Sequence, residues 1–336
     1  MMFGAVRLAE ALGAILAHAV VLPGGKLAKG RMLDADDLAR LAAAGHTQVI
    51  VARPQPGDVT ENRAAQQLAA ALVADPAGQG LICDAAFTGR VNIRAAGPGV
   101  LALDANAIGR LNAVDAMITL ATIPPYQRVA AGMMVATVKI ISYAVPGDAL
   151  ARACAAGAVA LRVMPPVVDR VDLIVTETAA QRADPADKGV RAVWARVARL
   201  GIAEGQTRIV AHEAGAIAGA IAACDAGMIL VLTGSATSDI ADVMPMGLQA
   251  AGGEVVRFGM PVDPGNLLVL GRLGARPVIG LPGCARSPAL NGADWVLERL
   301  ACGVAVGDAD IAAMGVGGLL KEIPTRPQPR ARPIKG

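Results

Sequence analysis

Three short segments in the second half of this 336-residue chain combine hydroxyls, carboxylates, glycine and proline in patterns suited to holding an anion. They are Thr176-Glu-Thr178, Thr233-Gly-Ser-Ala-Thr-Ser-Asp239 and Leu281-Pro-Gly-Cys-Ala-Arg-Ser287. The middle segment is the richest. Gly234 loosens the backbone, Thr233, Ser235, Thr237 and Ser238 supply hydroxyls, and a loop of this kind between a strand and a helix can turn main-chain N–H groups toward a phosphate. Asp239 and Asp242 follow at once, where carboxylates can hold Mg²⁺ on phosphate oxygens or fix a water. A plainer role stands beside this one: Ser238 or Asp239 is a favoured N-cap and serves as well to start a helix.

Other reactive residues give less direction. His18, His46 and His212 are isolated, and the adjacent pair His212-Glu213 lacks metal-ligand spacing, so surface or capping roles are expected. Cys284 precedes a helix start, which would favour its thiolate, but free cysteine more commonly fills a core. Thr88-Gly-Arg-Val-Asn92 sets polar residues inside an extended stretch; Arg90 or Asn92 either meets a ligand or belongs to strand-end turn chemistry. No P-loop is present, and no G-x-G-x-x-G follows the first strand of the second half.

These loops need strands to hold them. From residue 169 onward, short aliphatic runs (171–175, 208–211, 228–232, 254–258, 267–270 and 277–280) alternate with helical periodicity over 186–200, 215–224, 240–251 and 288–301. Continuously aliphatic strands alternating with helices predict an α/β fold: a three-layer, doubly wound, mostly parallel sheet. In such a sheet ligands bind beyond the carboxyl ends of the strands, where all three loops fall. The first half reads as an α+β region. Asp34-x-x-Asp37 opens a helix, Asp58-x-x-Glu61 resembles a capping box, and extended segments at 89–93 and 134–141 flank a helix at 105–112. Pro165-Pro166 marks the expected boundary, giving regions 1–165, 166–303 and a 304–336 extension whose Pro/Arg-rich end at 324–333 is expected to be extended or disordered.

Composition narrows the classes. Hydrophobic residues make up 54% and aromatic residues 2%, so the core is aliphatic and base-stacking platforms for single-stranded nucleic acid are not expected. Four of the 31 basic residues lie in 324–336, leaving 27 against 28 acids, with no clustered charge for a duplex. Five scattered cysteines without a C-x-x-C pair suggest neither a disulfide framework nor a zinc site, and fit a reducing cytoplasm. The stretch 214–232 is interrupted by Asp225 and reads as helix, turn and strand, so no membrane span is expected.

The loops resemble, in order and spacing, the molybdopterin-binding domain of molybdenum cofactor biosynthesis proteins. Residues 233–239, Gly259-Met-Pro-Val-Asp-Pro-Gly265, Leu268-Val-Leu-Gly-Arg-Leu273 and Ile279-Gly-Leu-Pro-Gly283 with Ser287 are similar to the molybdopterin molybdenumtransferase family over about 170–303. The family's segments run roughly Gly-Gly-x-Ser-x-Gly-x-x-Asp, Lys-Pro-Gly-Lys-Pro and Gly-Leu-Pro-Gly-Asn-Pro-x-Ser. Weaker likeness reaches Lys29–Asp34, Gly57-Asp58 and 112–145. The resemblance implies that Thr233 to Ser238 meet the phosphate of molybdopterin or its nucleotide form and that Thr176 belongs to the binding site. Asp239 and Asp242 would lie near Mg²⁺, and Pro264, Gly265, Pro282, Gly283 and Ser287 would shape the pocket, with Ser287 capping the last helix.

Departures are equally specific. Asn266 stands where the family has lysine, and Cys284-Ala285 where it has Asn-Pro, with Arg286 restoring a cation beside them. Three functions are therefore expected: transfer of molybdate to adenylated molybdopterin, a non-catalytic carrier or regulator serving a nucleotidyltransferase or apo-molybdoenzyme, and a nucleotide-pyrophosphate hydrolase. A homo-oligomer is expected as well.

Overall fold

A computed structural model of the chain describes residues 1–320, so the expectation for 324–333 lies outside the described residues. Chain packing divides it into two units. The first holds residues 1–96, 101–125 and 131–163; the second holds 97–100, 126–130 and 164–320. The two short excursions pair with each other, Arg128 and Val129 lying antiparallel to Val100 and Gly99, and a single cut at Pro165-Pro166 does not account for them.

The first unit is α+β. Strand Gln48–Arg53 lies between Met2–Arg7 and Ile15–Leu16, and a four-stranded antiparallel sheet runs in the order Ile118–Thr122, Met134–Ile140, Arg90–Ala95, Leu81–Cys83. Helix Ala35–Ala43 starts with the reciprocal bonds of a capping box between Asp34 and Asp37. The box expected at Asp58 does not form. Asp58 lies in a short strand, Asp58–Thr60, paired with Ala144–Pro146, and its carboxylate accepts from Gln55 N–H at 2.7 Å; Thr60 precedes helix Glu61–Leu72 without a side-chain cap.

The second unit is α/β, built on a six-stranded sheet ordered Ala203–Ala211, Arg170–Glu177, Met228–Leu232, Arg276–Leu281, Val269–Leu273, Glu254–Phe258. Only the 269–273 strand runs against the others. All five residues of the 228–232 strand are buried, which is why its sequence is uninterrupted Met-Ile-Leu-Val-Leu. Side chains alternate between faces. Leu173, Val175, Leu230 and Leu232 pack with Val193 and Val197 of helix Lys188–Ala198 and with Val296 and Leu297 of helix Gly292–Ala301. Ile174, Ile229 and Val231 pack with Ile217 and Ile221 of helix Ala214–Ala222 and with Met244 and Leu248 of helix Val243–Ala250.

The last helix departs from expectation. Residues 283–286 form one 3₁₀ turn, and the α-helix begins only at Gly292, capped by Asn291 and Asp294 in a capping box. Ser287 is therefore not its cap, because Asn291 is the residue whose side chain reaches the first free N–H groups; Ser287 Oγ instead accepts from Ala289 N–H at 3.3 Å. Residues 302–320 stay with this unit. Ile311 and Met314 join its core, and Leu320 N–H donates to Asp263 O at 3.0 Å.

Candidate ligand-binding crevice

Strand order creates the site. From the 170–177 strand the chain moves outward to 203–211, then crosses back to 228–232 on the other side, so the order reverses between Arg170–Glu177 and Met228–Leu232. Such a reversal opens a crevice at the carboxyl ends of the two strands. Register places Val175 opposite Leu232, Leu232 opposite Leu281, Gly280 opposite Val269 and Val269 opposite Phe258. Thr176, the 233–239 loop, the 281–287 loop and the 259–268 loop consequently share one edge of the sheet. Thr176 and Pro282 stand two strand spacings apart, about 10 Å.

Thr176 organises the near side. Almost fully buried, its Oγ1 accepts from Gly234 N–H at 2.8 Å and lies 2.8 Å from His212 Nδ1. Gly234 is glycine for a packing reason: a Cβ there would stand 2.7 Å from Thr176 O. Its amide is engaged within the protein, so it cannot face a ligand. The amides of Ser235, Ala236 and Thr237 have no hydrogen-bond partner among the described residues, and Ser235 and Ala236 are exposed. Consecutive unpaired N–H groups are the donors an anion needs. Thr233 is buried, and its carbonyl accepts from Arg286 Nη2 at 3.0 Å, which ties the second loop to the third.

The two aspartates act locally. Asp242 caps helix 243–250: Oδ1 accepts from Val243 N–H at 2.7 Å and Oδ2 from Ser238 N–H at 2.9 Å, with Ser238 Oγ at 3.4 Å. The Ser238 amide bond is the main reason its carboxyl sits below the usual range. Asp239 Oδ1 accepts from Ala241 N–H at 2.8 Å. Among the described residues no group of three His, Cys, Asp or Glu is placed to hold a metal ion. Asp239 and Asp242 as placed therefore make a loop and a cap, and by themselves no magnesium cage.

Across the crevice, Pro282 is buried and Gly283 exposed at the start of the 3₁₀ turn. Pro264 and Gly265 are buried against the first turn of helix 292–301, Gly292 N–H donating to Pro264 O at 2.8 Å, while Asn266 is exposed with its Nδ2 3.4 Å from Met260 O. Pro264 and Gly265 thus shape the 259–268 loop from within. A cavity of about 20 Å³ lies behind Thr176, lined by Val175, Gln181, Arg182, Asp184, Val190 and Arg286 among others. That is room for one or two waters. Glu177 closes its outer loop, accepting from Arg182 Nη1 at 2.7 Å and Ala183 N–H at 3.2 Å, and the amide contact chiefly lowers its pKa.

Two supports were invisible to motif reading. His212 stands one residue past the edge strand and reaches Thr176. Arg196, buried in helix 188–198, has all five of its N–H donors engaged: Nε on Asp294 Oδ1 at 2.6 Å, Nη1 on the carbonyls of Ala192 and Ala285, and Nη2 on those of Ser287 and Ala289. It fixes the path of the third loop. The available signal was a cation on the apolar Val190, Val193, Val197 face of a helix. Arg90 and Asn92 belong instead to a network in the first unit, with Thr137 Oγ1 3.1 Å from each and Asp84 3.4 Å from Asn92.

No helix among the described residues is long and apolar enough to cross a membrane. A family model described as a domain of unknown function (DUF8806) matches residues 5–53, and no curated protein matches the chain. Among solved structures, a molybdopterin biosynthesis MoeA protein from Pyrococcus horikosii is 14% identical at a TM-score of 0.32, covering 90% of this chain and 75% of its own. A molybdenum cofactor biosynthesis protein from Pyrococcus furiosus is 12% identical at 0.25, covering 93% and 65%. A molybdopterin biosynthesis protein from Mycobacterium abscessus is 15% identical at 0.28, covering 41% of this chain and 94% of its own. At these scores the likenesses carry no weight for the crevice, whose chemistry rests on its own loops.

Proposed function

We propose that the second unit, read as a three-layer doubly wound sheet, binds a phosphorylated pterin, molybdopterin or its nucleotide form, and serves molybdenum cofactor biosynthesis. The observation that carries this reading is the gathering of the 233–239 and 281–287 loops at the strand-order reversal, with three consecutive unpaired amides beside a half-buried arginine. In this reading the N–H groups of Ser235, Ala236 and Thr237 hold the phosphate. Arg286 keeps Nε and Nη1 for its oxygens while Nη2 stays on Thr233 O. The ring lies over the open edge at Gly283, since the cavity behind Thr176 is water-sized. Thr176, Gly234, Pro264, Gly265 and Pro282 position the loops, and Ser238, Asn266 and Ser287 border them.

Transfer of molybdate, the ligand's co-substrate in the fuller reading, needs a charge that the donors present do not supply. Lysine is missing at Asn266, and Asp242 spends Oδ1 on the helix cap and Oδ2 on the Ser238 amide. The same two facts favour the second reading, a non-catalytic carrier that delivers the cofactor as a homo-oligomer to a nucleotidyltransferase or apo-molybdoenzyme.

Calorimetric titration with molybdopterin and with its adenylated form tests both readings. Saturable binding weakened at least tenfold by Arg286→Ala supports the site, and its absence removes it. Rescue of an extract lacking the transferase then selects the enzyme, and binding without rescue selects the carrier.

A further inference from the structure

The first unit carries a cluster that the crevice does not use. Several chain segments converge on Glu61, the first residue of helix 61–72. Its own N–H donates to Tyr143 O at 3.0 Å, and the 88–89 turn lies over its side chain, so that a Cβ on Gly89 would stand 3.1 Å from Glu61 Oε2 and 2.7 Å from Ile140 O. Lys139, from the 134–140 strand, and Lys29, from the chain before helix 35–43, are the cations that act on its carboxylate.

The turn is held in an unusual shape. Thr88 has φ +48°, a left-handed conformation rare for a β-branched residue. Three contacts impose it: Lys139 Nζ donates to Thr88 O, Gly89 N–H donates to Asn62 Oδ1 at 2.7 Å, and Ile140 N–H donates to Gly89 O at 2.8 Å. Strain held from three sides is characteristic of ligand clamps. The Thr88 side chain is exposed, and its hydroxyl has no partner among the described residues.

Glu61 is half-buried, yet no donor reaches its carboxylate among the described residues. Burial pushes its pKa up while the two lysines pull it down. The mixture of charges selects the ligand. A bare anion would meet the carboxylate, and a bare cation would meet two ammonium groups. A neutral group with two adjacent N–H donors beside a carbonyl satisfies both, because a carboxylate accepts two parallel bonds and Lys139 has two donors left after Thr88 O.

We infer that Glu61, Lys139 and the Thr88-Gly89 turn form a recognition site for a neutral 2-amino-4-oxopyrimidine ring, the edge shared by guanine and pterins. Glu61 accepts from the ring N–H and the amino group, and Lys139 donates to the 4-oxo oxygen. The site is independent of the second-unit crevice and stands if that reading fails.

Titration of the full chain with guanosine and, separately, with 6-hydroxymethylpterin tests it, with adenosine and inorganic phosphate as comparison ligands. The expected result is saturable binding of guanosine, the pterin or both, at least tenfold tighter than adenosine; which ring binds identifies the source. Glu61→Gln, which replaces one acceptor by a donor, weakens binding at least tenfold. Lys139→Met weakens it severalfold and serves if the first variant does not fold, while Arg286→Ala leaves it unchanged. No saturation by either ring, equal binding of adenosine or phosphate, unchanged affinity in a folded Glu61→Gln or Lys139→Met protein, or loss of ring binding in Arg286→Ala overturns the inference.

Discussion

Replacing Arg196 is the sharpest perturbation of the second unit. Its guanidinium is buried with Asp294 at 2.6 Å, and its remaining donors hold four carbonyls, three of them from residues 285–289. Arg196→Met leaves the Asp294 carboxylate buried with one oxygen still on Asn291 N–H and the other without its cation, and it also removes the donor from the Ala285, Ser287 and Ala289 carbonyls. Removing one partner of a buried pair costs about 3–5 kcal/mol. Domains of this size are stable by about 5–15 kcal/mol, so a large share of the margin goes. Arg196→Lys retains the charge but has three donors for five acceptors, and should recover only part of the loss. The assay is urea unfolding followed by tryptophan fluorescence, since Trp194 and Trp295 both lie in this unit. A decrease in the midpoint corresponding to about 3–5 kcal/mol is expected for methionine, with the Asp294→Asn double variant less destabilised than the sum of the singles. A change under about 1 kcal/mol, the scale of an exposed pair, refutes the reasoning.

Further predictions concern the crevice and its neighbourhood. Thr176→Val strands Gly234 N–H and should cost about 1–3 kcal/mol by thermal unfolding, with Thr176→Ser close to wild type. Gly234→Ala forces a Cβ to within 2.7 Å of the Thr176 carbonyl and should both lower the melting temperature and weaken pterin-phosphate binding by displacing the loop. Asp242→Ala removes the cap of helix 243–250 and should cost about 1 kcal/mol in the same unfolding assay. Glu298, pushed up to about 7 by burial and next by Asp294, against the pull of Arg128 at 3.0 Å, holds its proton in the fold where the unfolded chain has lost it. Its contribution is therefore present below pH 4.5 and falls away as pH rises from 4.5 toward 7, and Glu298→Gln should flatten unfolding free energy across that window.

The parts of the fold legible in the sequence are those where burial alone sets residue type. Strands 228–232 and 254–258 match their expected spans, and Gly201 and Gly252 follow their helices in the left-handed conformation that glycine adopts without strain. The apolar run at 208–211 marks only the end of strand 203–211 because this strand is a sheet edge, where Glu204 and Gln206 interrupt the apolar signal. The Asp58 box failed because pairing with residues 144–146 outweighed a local cap, and the late start at Gly292 reflects Arg196, a residue far off in sequence, holding 285–289 out of the helix. That the three loops follow strands was legible from the alternation of strands and helices, whereas the order reversal that sets the crevice comes from the fold. The crevice's inner wiring was not legible, since Thr176 with His212, and Arg196 with Asp294, are contacts that spacing does not encode.

Residue-resolved ¹H–¹⁵N NMR during titration with a pterin phosphate tests the central claim most directly. The account predicts saturable shifts concentrated at the amides of Ser235, Ala236, Thr237 and Gly283 and at the Arg286 side chain, with the Gly234 amide held in its bond to Thr176. Binding that leaves those amides unmoved, or shifts that never saturate, would contradict it.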